Sequence, residues 1–296
     1  MRVRRLPNNT VPRRSRGLHR AWLLVLLVGG APLLVAAEPA KSTAVLELPV
    51  RWEEPAADGK ATIEQTAVRK LVPAETAILI CDTWNKHWCA SATRRCDELA
   101  RRMAPLVEEA RARGVHIIHA PSDTLDFYRD HPARKRALAT AAATPPSPIG
   151  GWCSLEAERE GTLPIDDSDG GCDCQPQCKQ GKAWSRQHPA IRIDDADIIS
   201  DNGQEVYNYL VAHGIKNIVY MGVHTNMCVL GRSFGIRQMT RLGFHTYLVR
   251  DLTDTMYNPR MRPFVEHAAG TDLVVKHVER HWCPSTTSTA LAQGLR

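Results

Sequence analysis

The chain has 296 residues, 43% of them hydrophobic and 24% charged, with nine cysteines and a formal charge of +6. That hydrophobic content is enough for a substantial core and excludes a globally disordered chain. The positive charge is local: seven arginines lie in residues 1–20, and without them the rest of the chain comes to −1, so no basic field remains to attract nucleic acid or an anionic membrane.

The basic start runs into an apolar stretch, Ala21 to Val35, and then Ala36-Ala37-Glu38. A basic region, an apolar region and small residues in that order predict a secretory signal peptide over residues 1–37, cleaved after Ala37. Gly29, Gly30 and Pro32 interrupt the apolar stretch, so no membrane span is expected in the mature chain. The expected address is exported, periplasmic or extracellular. All nine cysteines fall in the mature part. An oxidising compartment permits disulfides, and the odd count leaves at least one thiol free if the others bridge.

Residues 38–75 read as an N-terminal extension. Thr43 to Trp52 alternates enough for an edge strand, with Pro49 against a central one, and Pro55 to Gly59 reads as a turn. Ala77 to Cys81 is continuously apolar, as in a strand buried on both faces of a parallel sheet. Asp82 then stands at its C-terminal end, the edge where open α/β sheets bind ligands. Leu99, Met103, Leu106 and Ala110 have helical spacing with Gly114 as cap, and Pro105 predicts a kink or two abutting helices. A strand follows over Val115 to His119, then a helix-like stretch over 125–142 that Pro132 interrupts.

Residues 143–184 break this alternation with prolines, glycines and Cys153, Cys172, Cys174 and Cys178. They read as an insertion pinned by bridges or by a metal. Export favours disulfides; the alternative is a four-cysteine zinc site, although Cys-x-Cys-x3-Cys is not the usual zinc spacing. Beyond it come a helix over 203–213 capped by Gly214, a strand from Asn217 to Gly222, a helix from Cys228 to Gly243 and a strand from His245 to Val249. A short helix over 264–269 and a last strand over 273–278 complete the chain. Strands alternating with helices predict an α/β fold whose parallel sheet is covered on both faces.

Cys228 is the leading chemical candidate. It sits in or near the first turn of a helix that follows a buried strand, where unpaired N–H groups and the positive end of the helix favour S⁻ over SH. Asp82, ending a different strand, is the best candidate base. The plainer readings are a buried structural cysteine and a helix-capping aspartate.

Together the two stretches resemble the isochorismatase-like cysteine hydrolases, which include the nicotinamidases. Ile78-Leu79-Ile80-Cys81-Asp82-Thr83-Trp84-Asn85 is similar to that family's first strand, and Gly222-Val223-His224-Thr225-Asn226-Met227-Cys228-Val229 to its nucleophile segment. The resemblance covers residues 74–280 without the insertion. It implies a three-layer α/β/α fold with a mostly parallel, Rossmann-like sheet, in a hydrolase domain over 76–296. It also implies an Asp–Lys–Cys triad: Asp82 takes the thiol proton, Cys228 attacks an amide carbonyl to form a thioester, and backbone N–H groups hold the oxyanion. A non-proline cis peptide would fall between Val223 and His224.

The substrate-binding residues on this reading are Trp84, Asn85, His224 and Thr225, with Trp84 standing where many members have glutamine. The family's lysine usually precedes a helix like 203–213, but Arg192 to Asp197 contains none. Lys182 is the nearest candidate, with Lys179 and Arg192 behind it. His87, His119 and Asp123 do not match the metal ligands of the nicotinamidase branch, so no catalytic metal and no required cofactor are expected. Arg232, Arg237, Arg250 and Asp251 are expected in ion pairs near the sheet edge. The expectation is an exported hydrolase of a small amide or related C–N bond. The alternatives are a non-catalytic small-molecule-binding protein on the same fold and a redox-active thiol protein. The expected partner is a small-molecule substrate, and a homo-oligomer is left open.

Overall fold

The computed structural model describes residues 45–57 and 61–296; the expected leader, residues 1–37, lies outside them. Eight strands form one sheet: β1 (Leu46–Pro55), β2 (Thr62–Leu71), β3 (Thr76–Cys81), β4 (His116–Ala120), β5 (Ile198–Ile199), β6 (Asn217–Val223), β7 (His245–Asp254) and β8 (Ser285–Thr286). Their order is β2-β1-β8-β7-β6-β3-β4-β5. The run from β8 to β5 is parallel, while β1 pairs antiparallel with both β2 and β8.

Successive side chains of a strand point to opposite faces, so the continuously apolar β3 is buried from both sides. Ile78 and Ile80 face one core, shared with α1 (Ala90–Ala112) and α7 (Ser288–Leu295). Ala77, Leu79 and Cys81 face the other, covered by α4 (Gly203–Ala212), α5 (Ile236–Arg241) and α6 (His267–His281). This is the expected three-layer α/β/α arrangement. Two smaller helices, α2 (Pro132–Ala139) and α3 (Ala157–Glu160), lie between β4 and β5.

Three local expectations change. Pro105 does not divide α1 into two abutting helices; it lies on the exposed face of one continuous helix, where water can take the freed carbonyl. The N-terminal strand is half of a hairpin whose partner β2 forms the sheet edge, so β1 lies one strand in. Pro49 is tolerated there because β8 pairs with β1 only at Arg51↔Ser285. Residues 273–278 are helix, not strand. Gly270, Val274, Val275 and Val278 are buried at helical spacing within α6, and their β-branched side chains imitate a strand signal.

The insertion is tied to the core by a buried ionic network. Glu160, at the end of α3, accepts from Arg237 Nε at 2.8 Å and Nη2 at 2.9 Å, from His277 Nε2 at 2.8 Å and from Trp282 Nε1 at 2.8 Å. Burial alone would raise its pKa, but these donors outweigh it and hold the carboxyl down at about 2. Arg237 is thus a structural ion pair, as expected. Among the described residues, no helix is long and apolar enough to cross a membrane.

Candidate active site

β3 and β6 are neighbours in register, with Cys81 opposite Gly222. The residues that follow them, Asp82 and the segment from His224, therefore emerge side by side at the C-terminal edge of the sheet. Gly222 has φ +119°, and a Cβ there would lie 2.0 Å from the Cys81 carbonyl oxygen, so only glycine permits this approach of the two strands. The Val223–His224 peptide is cis. A single π-helical turn, Thr225–Val229, carries Cys228 to the edge.

Asp82 has φ +43° and is fully buried. Its backbone N–H donates to Ala120 O at 3.0 Å, and its Oδ1 accepts from Ser122 N at 2.7 Å. Its Oδ2 accepts from Arg232 Nε at 3.1 Å. Cys228 lies within interaction range of both the Asp82 carboxyl and the Arg232 guanidinium. Arg232 also reaches Asp123 Oδ2 with Nη2 at 3.5 Å. The site is thus an Asp–Arg–Cys constellation.

Its electrostatics follow from burial. Desolvation pushes the Cys228 thiol well above its usual range, the Asp82 charge adds to this, and Arg232 opposes it. Burial likewise pushes the Asp82 carboxyl up against the pull of Arg232 and the Ser122 N–H. At rest the thiol keeps its proton beside a carboxylate made more basic by its surroundings, and a fixed cation stands ready to stabilise the thiolate.

Lys182 does not pair with Asp82, whose ion pair is with Arg232. Lys182 is exposed at the rim, where its Nζ donates to Asp123 O at 2.6 Å. Lys179 is exposed, and Arg192 is paired on the surface with Glu108 and Asp194. The cation on Asp82 is Arg232, expected only as one of several ion-pairing residues. A signal for it was present: it stands four residues after Cys228 in a helical stretch, and its N–H donates to Cys228 O at 3.0 Å, so both residues share one face.

The four expected substrate-binding residues separate into two groups. Trp84 is buried and stacks on Trp184 with centroids 4.2 Å apart, and His87 stacks on Trp184 at 5.8 Å. His224 is buried edge-on to His87 at 4.9 Å, and its Nε2 has no protein partner. Burial first, and neighbouring positive charge second, depress His87 to about 4 and His224 to about 3, so both imidazoles are neutral. Thr225 faces away: its Oγ1 bonds Thr253 Oγ1 at 2.6 Å and Asp254 O at 3.0 Å. Asn85 accepts from Ser185 N at 3.1 Å and donates to Ser185 Oγ at 3.1 Å, so it holds the insertion. His119 is likewise committed, to Gln187 and Asp197.

The insertion supplies residues that the motifs did not indicate. Trp184 joins the aromatic wall. Trp152 packs on Gly231, pairs with Arg232 as an isolated β-bridge, and has the Arg232 guanidinium 5.9 Å from its ring. All nine cysteines are free, so the bridges expected in the insertion are not formed. Cys153 also leaves the expected four-cysteine group: its thiol is buried against Gln238 Oε1 at 3.2 Å. The sulfur atoms of Cys172 and Cys174 instead gather with that of Cys89, at the head of α1.

Residues 168–270 match the family model of the Isochorismatase domain. The match contains Cys228 and Arg232 but begins after Asp82. No curated protein matches the chain. Among solved structures, it is similar to a cysteine hydrolase from Pseudomonas syringae pv. phaseolicola 1448A, at 14% identity over 75% of this chain and 93% of that one, with a TM-score of 0.46. It is similar to an isochorismatase family protein from Burkholderia thailandensis, at 16% identity over 75% and 96%, with a TM-score of 0.43. A third is an isochorismatase-like hydrolase from Alkaliphilus metalliredigens, at 17% identity over 75% and 97%, with a TM-score of 0.42.

Proposed function

We propose that this chain, which carries an isochorismatase domain and belongs with the isochorismatase-like hydrolases, is an exported cysteine hydrolase that cleaves a small amide or related C–N bond through a Cys228 thioester. The observation that carries this reading is Arg232 Nε on Asp82 Oδ2 at 3.1 Å, with Cys228 in range of both. A site with no cation beside Asp82 would favour the non-catalytic binding protein, and Arg232 supplies that cation.

In the proposed reaction Asp82 accepts the Cys228 proton as Sγ forms a bond to the carbonyl carbon. The tetrahedral oxyanion is held by backbone N–H groups of the turn at Cys228. Collapse breaks the C–N bond, and Asp82 returns its proton to the leaving amine. A water molecule, deprotonated by Asp82, then attacks the thioester carbon, giving the acid and restoring the thiol. Arg232 remains protonated throughout. It holds Asp82 in place and offsets the negative charge that passes from carboxylate to sulfur.

The wall of Trp84, Trp184, His87 and His224 favours a small, flat, uncharged substrate. The buried Nε1 of Trp184 and Nε2 of His224 lack protein partners and are suited to the substrate's polar atoms. Export rests on the composition of residues 1–37 alone. Turnover of a panel of small aromatic and aliphatic amides by wild type and by Cys228→Ala tests the reading. Hydrolysis that the substitution abolishes supports it; ligand binding by wild type without any turnover contradicts it.

A further inference from the structure

Four cysteines outside the catalytic constellation converge where the insertion meets the head of α1. The sulfur atoms of Cys89, Cys172 and Cys174 all lie within 4.8 Å of one another, and Cys89 Sγ is 3.8 Å from Cys174 Sγ. Cys178 Sγ stands at the same first turn of α1, accepting from Ala90 N at 3.5 Å beside Ser91 N, which donates to Cys174 Sγ. A disulfide needs sulfur atoms about 2.05 Å apart. A tetrahedral ion with bonds of about 2.3 Å to sulfur places its ligands about 3.8 Å apart along each edge. The Cys89–Cys174 separation is that of two ligands around one ion.

We propose that the three gathered sulfur atoms of Cys89, Cys172 and Cys174 bind a zinc ion, with Cys178, at the same turn, as its fourth thiolate ligand. The surroundings are built to hold thiolates. Two successive N–H groups in the first turn of α1 point at sulfur: Ala90 N donates to Cys178 Sγ at 3.5 Å and Ser91 N to Cys174 Sγ at 3.4 Å, with Ser91 Oγ 3.1 Å from the same sulfur. The helix N-terminus adds its own positive potential. Arg260 donates to the Asp173 and Cys174 carbonyl oxygens, and Arg95 pairs with Asp173, so cationic groups stand close to the net negative centre. Trp88, Ala92, Met227 and Met256 pack around the sulfur atoms and limit water.

Four protein ligands leave no open position, so the ion is structural. The spacing suits a single ion better than an iron–sulfur cluster, whose thiolates bind different irons. Its role is to fasten residues 172–178 to the first residues of α1, beside Met227 and one residue from the nucleophile. Nothing in this assignment depends on the hydrolase reading.

Elemental analysis of the purified full-length protein should give one zinc per chain, with X-ray absorption showing four sulfur neighbours at about 2.3 Å. Replacement by Co²⁺ should produce the thiolate-to-cobalt charge-transfer bands and the strong visible absorption of a tetrahedral sulfur site. Cys174→Ser should lose the metal or reduce its retention by at least tenfold, and Cys153→Ser should keep it. The inference is overturned by wild-type protein that binds neither Zn²⁺ nor Co²⁺ while these thiols are free. A disulfide among the four in unreduced peptide maps overturns it too, as does full zinc retention in Cys174→Ser. The wild-type measurements stand even if the variant does not fold.

Discussion

Replacing Arg232 with methionine tests the electrostatic reading of the site. The side chain keeps most of its volume and loses its charge. At 3.1 Å, and with an effective dielectric constant of about 20, the attraction between Arg232 and Asp82 is about 5 kcal/mol. Removing one partner of a buried pair is known to cost about 3–5 kcal/mol. With that attraction removed, Asp82, which burial already pushes upward, should rise further and hold its proton over more of the pH range. A protonated Asp82 cannot take the thiol proton. The assay needs no substrate: the rate of iodoacetamide modification of Cys228, followed by peptide mass spectrometry, measured against pH. Arg232→Met should react at least ~100-fold more slowly at pH 7, with its acid limb moved to higher pH. Arg232→Lys, which keeps a cation, should fall between the two. A folded Arg232→Met protein that reacts at the wild-type rate with an unmoved acid limb would refute the reasoning.

Three further outcomes follow from the same geometry. In wild type, Cys228 reactivity should fall as pH drops through the Asp82 titration, at a pH above the ordinary carboxylate range because burial raises Asp82; Asp82→Asn should remove that limb and slow turnover by ~10²–10⁴. Glu160→Gln should cost about 3–5 kcal/mol by leaving Arg237 buried and unpaired, seen as a thermal midpoint lower by on the order of 10 °C. Because Glu160 is held at about 2 in the fold, below its ordinary value, its stabilisation is present at neutral pH and is lost as pH falls from about 4.5 towards 2. Glu160→Gln should therefore flatten that acid dependence, and an unchanged acid-unfolding profile would count against it. Gly222→Ala should be destabilised by about 3 kcal/mol or more in denaturant melts, since its Cβ would collide with the Cys81 carbonyl; near-wild-type stability would mean that β3 and β6 can separate at no cost.

The parallel core was legible because its strands are short apolar runs with turn chemistry at their ends. The placement of Asp82 and Cys228 at the sheet edge was legible for a related reason, since Asp82 directly follows such a run and Cys228 follows another by one short turn. What escaped had non-local causes. Arg232 looked like one of several arginines near the edge, and only the pairing of β3 with β6 brings Asp82 onto its guanidinium. Asn85 and Thr225 stood at motif positions, but the insertion and β7 take up their hydrogen bonds. The valines of α6 carried strand propensity on a helical spacing. The membership of the sulfur cluster was misread because spacing counts only neighbours in sequence: Cys153 is close along the chain, whereas Cys89 arrives from the other side of the fold.

The central claim is a covalent bond between substrate and Cys228. Wild-type protein quenched in acid during turnover of an amide from the panel, then digested and weighed by mass spectrometry, should show the acyl mass on the Cys228 peptide. The adduct should be absent from Cys228→Ala. Hydrolysis that persists in Cys228→Ala, or an acyl group found on a different residue, would contradict the account.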